Sequence, residues 1–488
     1  MESLKSLIKV LRPSEKKLIR HYYARTTNSE EKLRLKLFNL IERKKADTES
    51  ALLVKLNNHK GGSSYSHLKA RLKKDILNVL LMQDTNKRLA QPNRAAELEC
   101  RKNVAQSHLL IFRGAQEQGM KVLKKALLTA DRYELLAERL QINHLLREFS
   151  IPTAPASELE RLNKEISRDL KRYEDLLYVE EKAVVLSSPE MGKKLRARGN
   201  ESKYLELIDG LSKLYKKHRL SRMGFWYYLA ATEYDTTRGN YERVVDLGLK
   251  FLKLVETKPA VKSKNNMAGV NQTVGFAQMQ LYCFDEAAKH LAKSEKLFPQ
   301  AGFNRLQCLQ FLVQSQLAQG DFNKSFVTIE SALTHPRISG REHLLPRWLY
   351  IQACAQFLAK DVNVSFRTLN TNSYILKQQD EWNMQLRLLE MMQLVEMGDE
   401  EWLLFKLDTT RKFLTRHKVL ETPRVRAAID VISNLVRKDL DASQLSDKNV
   451  EQIRVCVEER KGYEWNPSGP ELVRFDLWIK DKMYQKEE

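Results

Sequence analysis

The sequence predicts an all-α protein of antiparallel helix pairs stacked as a solenoid, and three observations carry that prediction. Residues 275–336 contain two copies of one unit, each with an apolar helix, a turn around an aromatic residue, a second apolar helix and a proline. Segments rich in Leu, Lys, Glu and Arg run through the chain without alternating Val/Ile/Thr stretches, which favours helices over strands. The length of 488 residues exceeds the size at which one core usually stops growing, so an extended repeat is expected.

The first 92 residues form a predicted small helical module that is strongly basic. The whole chain has a net charge of +21. Residues 1–90 hold 21 basic and 9 acidic side chains, whereas basic and acidic side chains are equal in number in residues 301–488. This asymmetry sets an electrostatically attractive N-terminal block against a nearly neutral C-terminal part.

The last helix of that module is the candidate for nucleic-acid contact. Its apolar stripe consists of Tyr65, Leu68, Leu72, Ile76 and Val79. The flanks and far side carry Lys69, Arg71, Lys73 and Lys74. A basic amphipathic helix of this kind can offer cations to the phosphates of DNA or RNA. The alternative is a solvated face, because the end of a solenoid needs a polar outer surface.

Residues 93–440 are predicted to hold the repeats, which are anchored on a close-approach position in the second helix of each pair. An aromatic, a small and a branched residue recur on one helical face, as Phe284, Ala287 and Leu291 and then as Phe322, Ser325 and Ile329. Sliding this template along the chain places the close-approach position at Val244, Ala287, Ser325, Ser365 and Leu403. One pair cannot bury its apolar face alone, but stacked neighbours can.

The turns of these units resemble those of tetratricopeptide repeats. The residues that carry the likeness are Gly239-Asn240-Tyr241-Glu242, Phe284-Asp285-Glu286-Ala287 and Gly320-Asp321-Phe322. Tyr282 stands where that family usually has glycine, and the intervals exceed its period of about 34 residues. The resemblance implies a right-handed superhelix of antiparallel helix pairs with a degenerate repeat. It also implies a non-enzymatic scaffold or adaptor that holds a protein or peptide partner in a groove.

In the tetratricopeptide family the first helix of each pair lines that groove. Carried onto this sequence, the groove positions are Trp226, Leu229, Gln272, Phe276, Gln307, Gln310, Gln314, Arg347 and Tyr350. We call these nine positions the groove residues. Gln314 among them is expected to be an exposed site that tolerates arginine. The set is largely amide and aromatic, and it lacks the Lys/Asn/Arg clamp with which some family members hold a terminal carboxylate.

Residues 441–488 are predicted to be capping helices. Ser446 can cap a helix that runs to about Glu459, and the stretch 462–467 breaks it. A final amphipathic helix is then predicted from Leu472, Phe475, Ile479 and Met483, which follow one another at three- and four-residue steps. This helix would close the stack.

Several kinds of chemistry lack their sequence signatures. The chain has no P-loop, no His-Glu-x-x-His and no Gly-x-Ser-x-Gly, so we expect no enzyme activity, cofactor or metal. Five cysteines are widely spaced without a Cys-x-x-Cys pair, and Cys283, Cys308 and Cys354 are expected as buried thiols. The start of the chain lacks the apolar core of a secretory signal, and no apolar run reaches the length of a membrane span. A cytoplasmic location is expected.

Overall fold

The computed structural model describes residues 2–24, 28–43, 49–56, 63–81, 92–187, 201–339, 344–370 and 381–484. Every regular element in these ranges is a helix, which confirms the all-α prediction. The chain divides into two compact units, residues 1–166 and 167–488. Each unit is described by itself below, and the predicted boundaries at residues 92 and 440 stay a prediction.

The first unit contains two hydrophobic cores. Its helices are α1 Glu2–Val10, α2 Pro13–Ala24, α3 Ser29–Glu42, α4 Glu49–Lys55, α5 Ser63–Leu81, α6 Pro92–Phe112, α7 Gln116–Arg132 and α8 Leu136–Ser150, followed by the first part of α9 Ala156–Ser187. Helices α1 to α5 share one core, in which the predicted stripe of α5 is buried. Helices α6 to α9 share the other. The N-terminal helices therefore pack on one another as a module.

The second unit continues the series of helices to the C-terminus. After the rest of α9 it contains α10 Glu201–His218, α11 Ser221–Thr237, α12 Tyr241–Thr257, α13 Lys264–Gln280, α14 Phe284–Leu297, α15 Phe303–Ala318, α16 Phe322–Leu333, α17 Pro336–Ser339, α18 Leu345–Leu358, α19 Val362–Asn370, α20 Glu381–Met397, α21 Glu400–Arg416, α22 Pro423–Val436, α23 Asp447–Val457 and α24 Phe475–Tyr484. Two short 3₁₀ turns, Lys418–Leu420 and Ala442–Gln444, flank α22. Consecutive helices pack on one another along most of this series.

One turn geometry recurs between helices throughout both units. In each case one residue has a left-handed backbone, with φ between 52° and 84°, at Gly114, Glu134, Gly239, Tyr282, Gly320, Lys360 and Gly398. The next residue donates its main-chain N–H to the carbonyl five residues back, and the following helix begins one residue later. This is the Schellman arrangement, which satisfies the last carbonyls of a helix. Its recurrence marks a structural repeat that extends well beyond residues 275–336.

The helices of a pair run antiparallel and approach closely at small residues. A Cβ added at Gly275 on α13 would lie 2.7 Å from Leu291 Cγ and 3.1 Å from the carbonyl oxygen of Ala287 on α14. Seven residues back on α13, the Ala268 carbonyl accepts a hydrogen bond from Ser294 Oγ at 2.8 Å, seven residues further on along α14. A step backward along α13 thus corresponds to a step forward along α14, which means that the two helices are antiparallel.

All five predicted close-approach positions are fully buried. Val244, Ala287, Ser325, Ser365 and Leu403 have no exposed surface. This confirms the template in all five copies. The first copy, in which Gly248 replaces the branched residue, is tighter than its sequence suggests, because a Cβ there would lie 2.5 Å from Val274 Cγ2 on the next helix.

Burial was predicted for three cysteine thiols and is confirmed for two of them. Cys308 and Cys354 are buried, but Cys283 is exposed. The prediction for Cys283 is wrong because this residue lies in the turn directly before α14, where a side chain is outside the helix pair.

The C-terminal helices pack into the same core as α15 to α22. Helix α23 begins after Ser446 as predicted. The final helix starts only at Phe475, so Leu472 is not part of it. Residues 462–474, which we call the strap, connect the two helices, and most of the apolar side chains of the strap are buried.

Candidate functional site

The groove residues lie on four helices of the second unit. Trp226 and Leu229 are on α11, Gln272 and Phe276 on α13, Gln307, Gln310 and Gln314 on α15, and Arg347 and Tyr350 on α18. Spacings of three and four residues put the members from each helix on one face of that helix. The structure divides the set into two halves.

The open half of the groove consists of the groove residues on α11 and α13 together with Gln307 and Gln310 of α15. Gln307 is exposed and the others are half-buried. Aromatic contacts fix part of this surface: the Phe276 ring lies 5.1 Å from Phe311 and 6.1 Å from Tyr241. Trp226 packs edge-on against Phe225 at 5.2 Å. The open half therefore offers amide groups beside fixed aromatic rings.

The covered half of the groove contains Gln314 and Tyr350. Gln314 is only 4% exposed and Tyr350 only 3%. The expectation that Gln314 is an exposed site is wrong, because the strap lies over it. Gln314 Nε2 donates a hydrogen bond to the Gly469 carbonyl at 2.9 Å, and Tyr350 Oη donates one to the Pro470 carbonyl at 2.8 Å. Whether these two residues also bind a partner stays a prediction.

Arg347, on the same helix as Tyr350, does not contact the strap through a hydrogen bond in the described residues. Its guanidinium lies 4.5 Å from the centre of the Trp382 ring on α20. The Tyr350 ring meets the same tryptophan edge-on at 5.9 Å. Arg347 and Tyr350 thus frame Trp382 from two sides, and this position belongs to the border of the covered half.

A third side chain holds the strap from the turn between α13 and α14. The single hydroxyl hydrogen of Tyr282 is shared between Glu459 and the Trp465 carbonyl, which lies 3.1 Å from Oη. The Trp465 ring lies 5.8 Å from Tyr282 and 6.2 Å from Phe284. Sequence reasoning noted Tyr282 as a departure from glycine but could not assign it a contact. The strap is consequently held by three side-chain donors, each of which binds a main-chain carbonyl.

Arg424 on α22 fixes the far end of the strap. Its side chain donates to Glu471 at 2.7 and 2.8 Å and to Asp476 at 2.7 Å. The carbonyls of Cys456 and Tyr463 accept its remaining N–H groups at 3.2 and 3.0 Å. All five guanidinium donors therefore have partners, which is the condition under which a buried arginine is stable.

The two carboxylates bound by Arg424 respond differently to their surroundings. Burial raises the pKa of Glu471, and the hydrogen bonds from Arg424 offset this only in part. Burial would also raise the pKa of Asp476, but Arg474 and Arg424 together lower it below its usual range. Asp476 is thus the firmly charged partner of this cluster.

A cleft of about 570 Å³ lies beside the strap. Its walls include Trp465 and Trp478 from the C-terminal region and Phe357 and Gln314 from the helices. Trp478 donates its Nε1 hydrogen to Glu396 Oε1 at 2.6 Å. Gln314 Oε1 is buried and has no hydrogen-bond partner among the described residues. The covered half is therefore incompletely filled by the strap.

The basic residues of α5 lie apart from the groove residues, in the first unit. Lys73 and Lys74 are exposed, Arg71 forms an ion pair with Glu30 of α3, and the Lys69 ammonium lies 4.5 Å from the centre of the Tyr65 ring. Contact of these residues with DNA or RNA stays a prediction.

Within the described part of the chain, no group of three or more His, Cys, Asp or Glu residues is placed to hold a metal ion. None of the described helices combines the length and apolar character that crossing a membrane requires.

These features define an all-α helical-repeat protein of antiparallel helix pairs joined by recurrent turns. No protein-family model and no curated protein matches the sequence. Among solved structures, a Rap protein complexed with competence and sporulation factor is 15% identical, covers 72% of this chain and 99% of its own, and has a TM-score of 0.37.

Two further solved structures are similar to this chain. A signal-transduction ATPase with a tetratricopeptide-repeat sensor from Pyrococcus horikoshii is 12% identical, with 84% of this chain and 54% of its own covered and a TM-score of 0.37. The apo form of RapI is 11% identical over 83% of this chain and 98% of its own, with a TM-score of 0.31.

Proposed function

We propose that the second unit is a non-enzymatic adaptor that binds an extended segment of a protein or peptide partner along the groove residues. The observation that supports this most is the strap itself. The same face already binds a non-helical stretch of chain, and Tyr282, Gln314 and Tyr350 donate to its main-chain carbonyls. Side chains that bind main-chain groups accept many sequences, because every residue carries a carbonyl.

The chemistry of the open half fits the same kind of partner. Gln272, Gln307 and Gln310 each offer an amide that both donates and accepts hydrogen bonds. Trp226 and Phe276 provide rigid apolar area beside them, and aromatic residues of this kind dominate binding energy at interfaces. An extended segment placed here would pair its main chain with the amides and its apolar side chains with the rings.

Selection of peptides on the full-length protein tests the proposal. A library of random 12-residue peptides is panned on the wild-type chain, and the enriched peptides are measured by fluorescence anisotropy. We expect Gln272→Ala and Gln310→Ala to weaken their binding, since each removes an amide while keeping a good helix former. Losses of about 1–3 kcal/mol are typical when a partner's polar group is left without its hydrogen bond.

The matched control is Lys289→Ala, an exposed site on α14 that lies outside the groove residues. It should leave peptide affinity unchanged. The proposal is wrong if no peptide is enriched, or if the enriched peptides bind the groove variants and the wild type equally well.

A further inference from the structure

The strap is bound in a way that resembles a ligand more than an ordinary connection. Its path from Trp465 to Glu471 touches the turn before α14, then α15, then α18, then α22. At the first three of these places the contact is a side-chain donor on a main-chain carbonyl. At the fourth place, α22, the contact is instead an ion pair between Arg424 and the Glu471 side chain of the strap.

Tyr282 shows that the protein accepts strain in order to make one of these contacts. Its φ of 60° lies in the left-handed region, where glycine is comfortable and a bulky residue is rare. The equivalent turns at Gly239, Gly320 and Gly398 use glycine, whereas those at Glu134 and Lys360 also place a side chain in this region. Tyr282 is the aromatic residue among these turns, and its ring and hydroxyl contact Trp465.

The side chains of the strap supply two further anchors. Trp465 packs against Tyr282 and Phe284 under the Arg474 guanidinium, which lies 5.1 Å from the centre of its ring. Six residues later, Glu471 accepts hydrogen bonds from Nε and Nη2 of Arg424. Pro467 and Pro470 between them oppose helix formation, and the stretch turns at residues 466–469, where the Gly469 N–H donates to the Asn466 carbonyl at 2.9 Å. A tryptophan, two prolines and a glutamate thus define what this half of the groove binds.

The fit of the strap is incomplete. Gln314 is only 4% exposed, yet its Oε1 has no hydrogen-bond partner among the described residues. The cleft of about 570 Å³ opens next to it. Because a buried acceptor without a donor is unfavourable, a segment that placed an N–H at Gln314 would bind better than the strap does.

We propose that the strap is an internal ligand of the covered half, which a partner segment of the same chemistry displaces. The partner segment has a tryptophan, a proline two residues later and a carboxylate six residues after the tryptophan, with a turn between them as in the strap. This rests on the proposed function, and it adds both the class of partner and a mode of regulation: the strap keeps half of the groove closed until such a segment competes.

The experiment uses a labelled peptide of residues 462–476 and the full chain in three forms. Trp465→Ala weakens the strap and leaves every groove side chain in place. The matched control is Asn466→Ala, an exposed neighbour in the strap. We expect the peptide to bind the Trp465→Ala chain at least about tenfold more tightly than the wild type or the control, which is 1.4 kcal/mol of competition. Tyr350→Phe in the Trp465→Ala background should reduce that binding.

Absence of saturable binding to a Trp465→Ala chain that keeps its helical circular dichroism would overturn the proposal. So would a stable dimer of that variant in light scattering, because the groove would then take the strap of a second copy. This test involves only the covered half. A failure of the proposed function would appear separately, as loss of peptide binding to the open half.

A second variant covers the case in which Trp465→Ala does not fold. Tyr282→Gly places the preferred residue at a left-handed turn and removes one strap contact, and Lys360→Gly relieves an equivalent turn as its control. We expect hydrogen exchange to accelerate in residues 462–471 of Tyr282→Gly alone. Leu472 and Val473 belong to the core that α20 to α23 share, so the proposal concerns residues 462–471, and acceleration that spreads through α20 to α23 would mean that this stretch is part of the core as well and that the proposal is wrong.

Discussion

The open and covered halves of the groove are built on the same helical framework, but they differ in what lies over them. Gln307 and Gln314 lie two turns apart on the same face of α15. Gln307 is exposed, whereas Gln314 is buried with 4% of its surface exposed. The repeat fixes where both side chains point. A segment 155 positions further along the chain decides which of them a partner can reach.

The two halves should also differ in how far unfolding spreads from a destabilising substitution. Contacts in the open half join neighbouring helices, as in a repeat array whose units touch only their neighbours. Those in the covered half join α13, α15, α18 and α22 through the strap and its buried arginine. Substitutions in the covered half should therefore unfold more of the second unit than comparable substitutions in the open half.

The largest effect is expected from Arg424→Met. The substitution leaves Glu471 buried without its cation, while Asp476 keeps Arg474, and breaking one side of a buried ion pair destabilises by roughly 3–5 kcal/mol. The neighbour Arg426, which forms an exposed ion pair with Glu421, is the matched control, and Arg426→Met should change stability by less than about 1 kcal/mol. Urea unfolding followed by circular dichroism measures both, and equal midpoints would show that the buried cluster does not hold the strap.

A smaller effect is expected from Gln314→Arg. The new side chain removes the donor to Gly469 and puts a charge under the strap, so we expect a loss of roughly 1–3 kcal/mol. Gln307→Arg introduces the same residue at the exposed end of the helix and should stay within about 0.5 kcal/mol. Thermal unfolding of the two variants compares the halves directly. If both are tolerated equally, the strap does not close this part of the groove.

The sequence predicts the framework well because the framework depends on local periodicity. The five close-approach positions were identified from spacing, and all are buried. The side chains of one helix pair are near each other in sequence, so the pattern that packs them is visible in a short window. Three- and four-residue steps also put the groove residues of each helix on one face, and their role in binding a partner stays a prediction.

The cover of the groove could not be predicted in that way. The strap has no periodicity, and its partners Tyr282, Gln314 and Tyr350 lie more than 100 positions away. Tyr282 was the one local signal, because a bulky residue replaces glycine in a turn. Gly248 is the opposite case: a glycine stands where the other copies have a branched residue, and Val274 of the next helix fills the space.

Within the open half, glycine substitutions on α13 test whether the damage stays local. Gly275→Ala adds a Cβ 2.7 Å from Leu291 Cγ and 3.1 Å from the Ala287 carbonyl, so overpacking should destabilise by about 1–3 kcal/mol. Gly269 on the same helix has nothing within 4 Å of an added Cβ, and Gly269→Ala should stabilise by up to about 1 kcal/mol. Hydrogen exchange should accelerate in α13 and α14 of the first variant. Uniform acceleration through the second unit would contradict a repeat with local contacts.

The smallest effect is a pH dependence from His290, which packs between the same two helices. Burial, aided by Lys293, lowers the pKa of this histidine, and its Nδ1 lies 2.9 Å from Asn271 Oδ1. A lowered pKa means that the folded chain favours the neutral ring. The stabilising contribution is therefore present above the ordinary histidine pKa of about 6.5 and is lost as the pH falls below it.

We expect the melting temperature of the wild type to drop further between pH 7.5 and pH 5 than that of His290→Gln, which cannot titrate in this range. Because the cause is local, the additional acid sensitivity should appear in hydrogen exchange of α13 and α14 and not in the strap, and identical pH profiles for the two chains would show that His290 is already solvated in the folded protein.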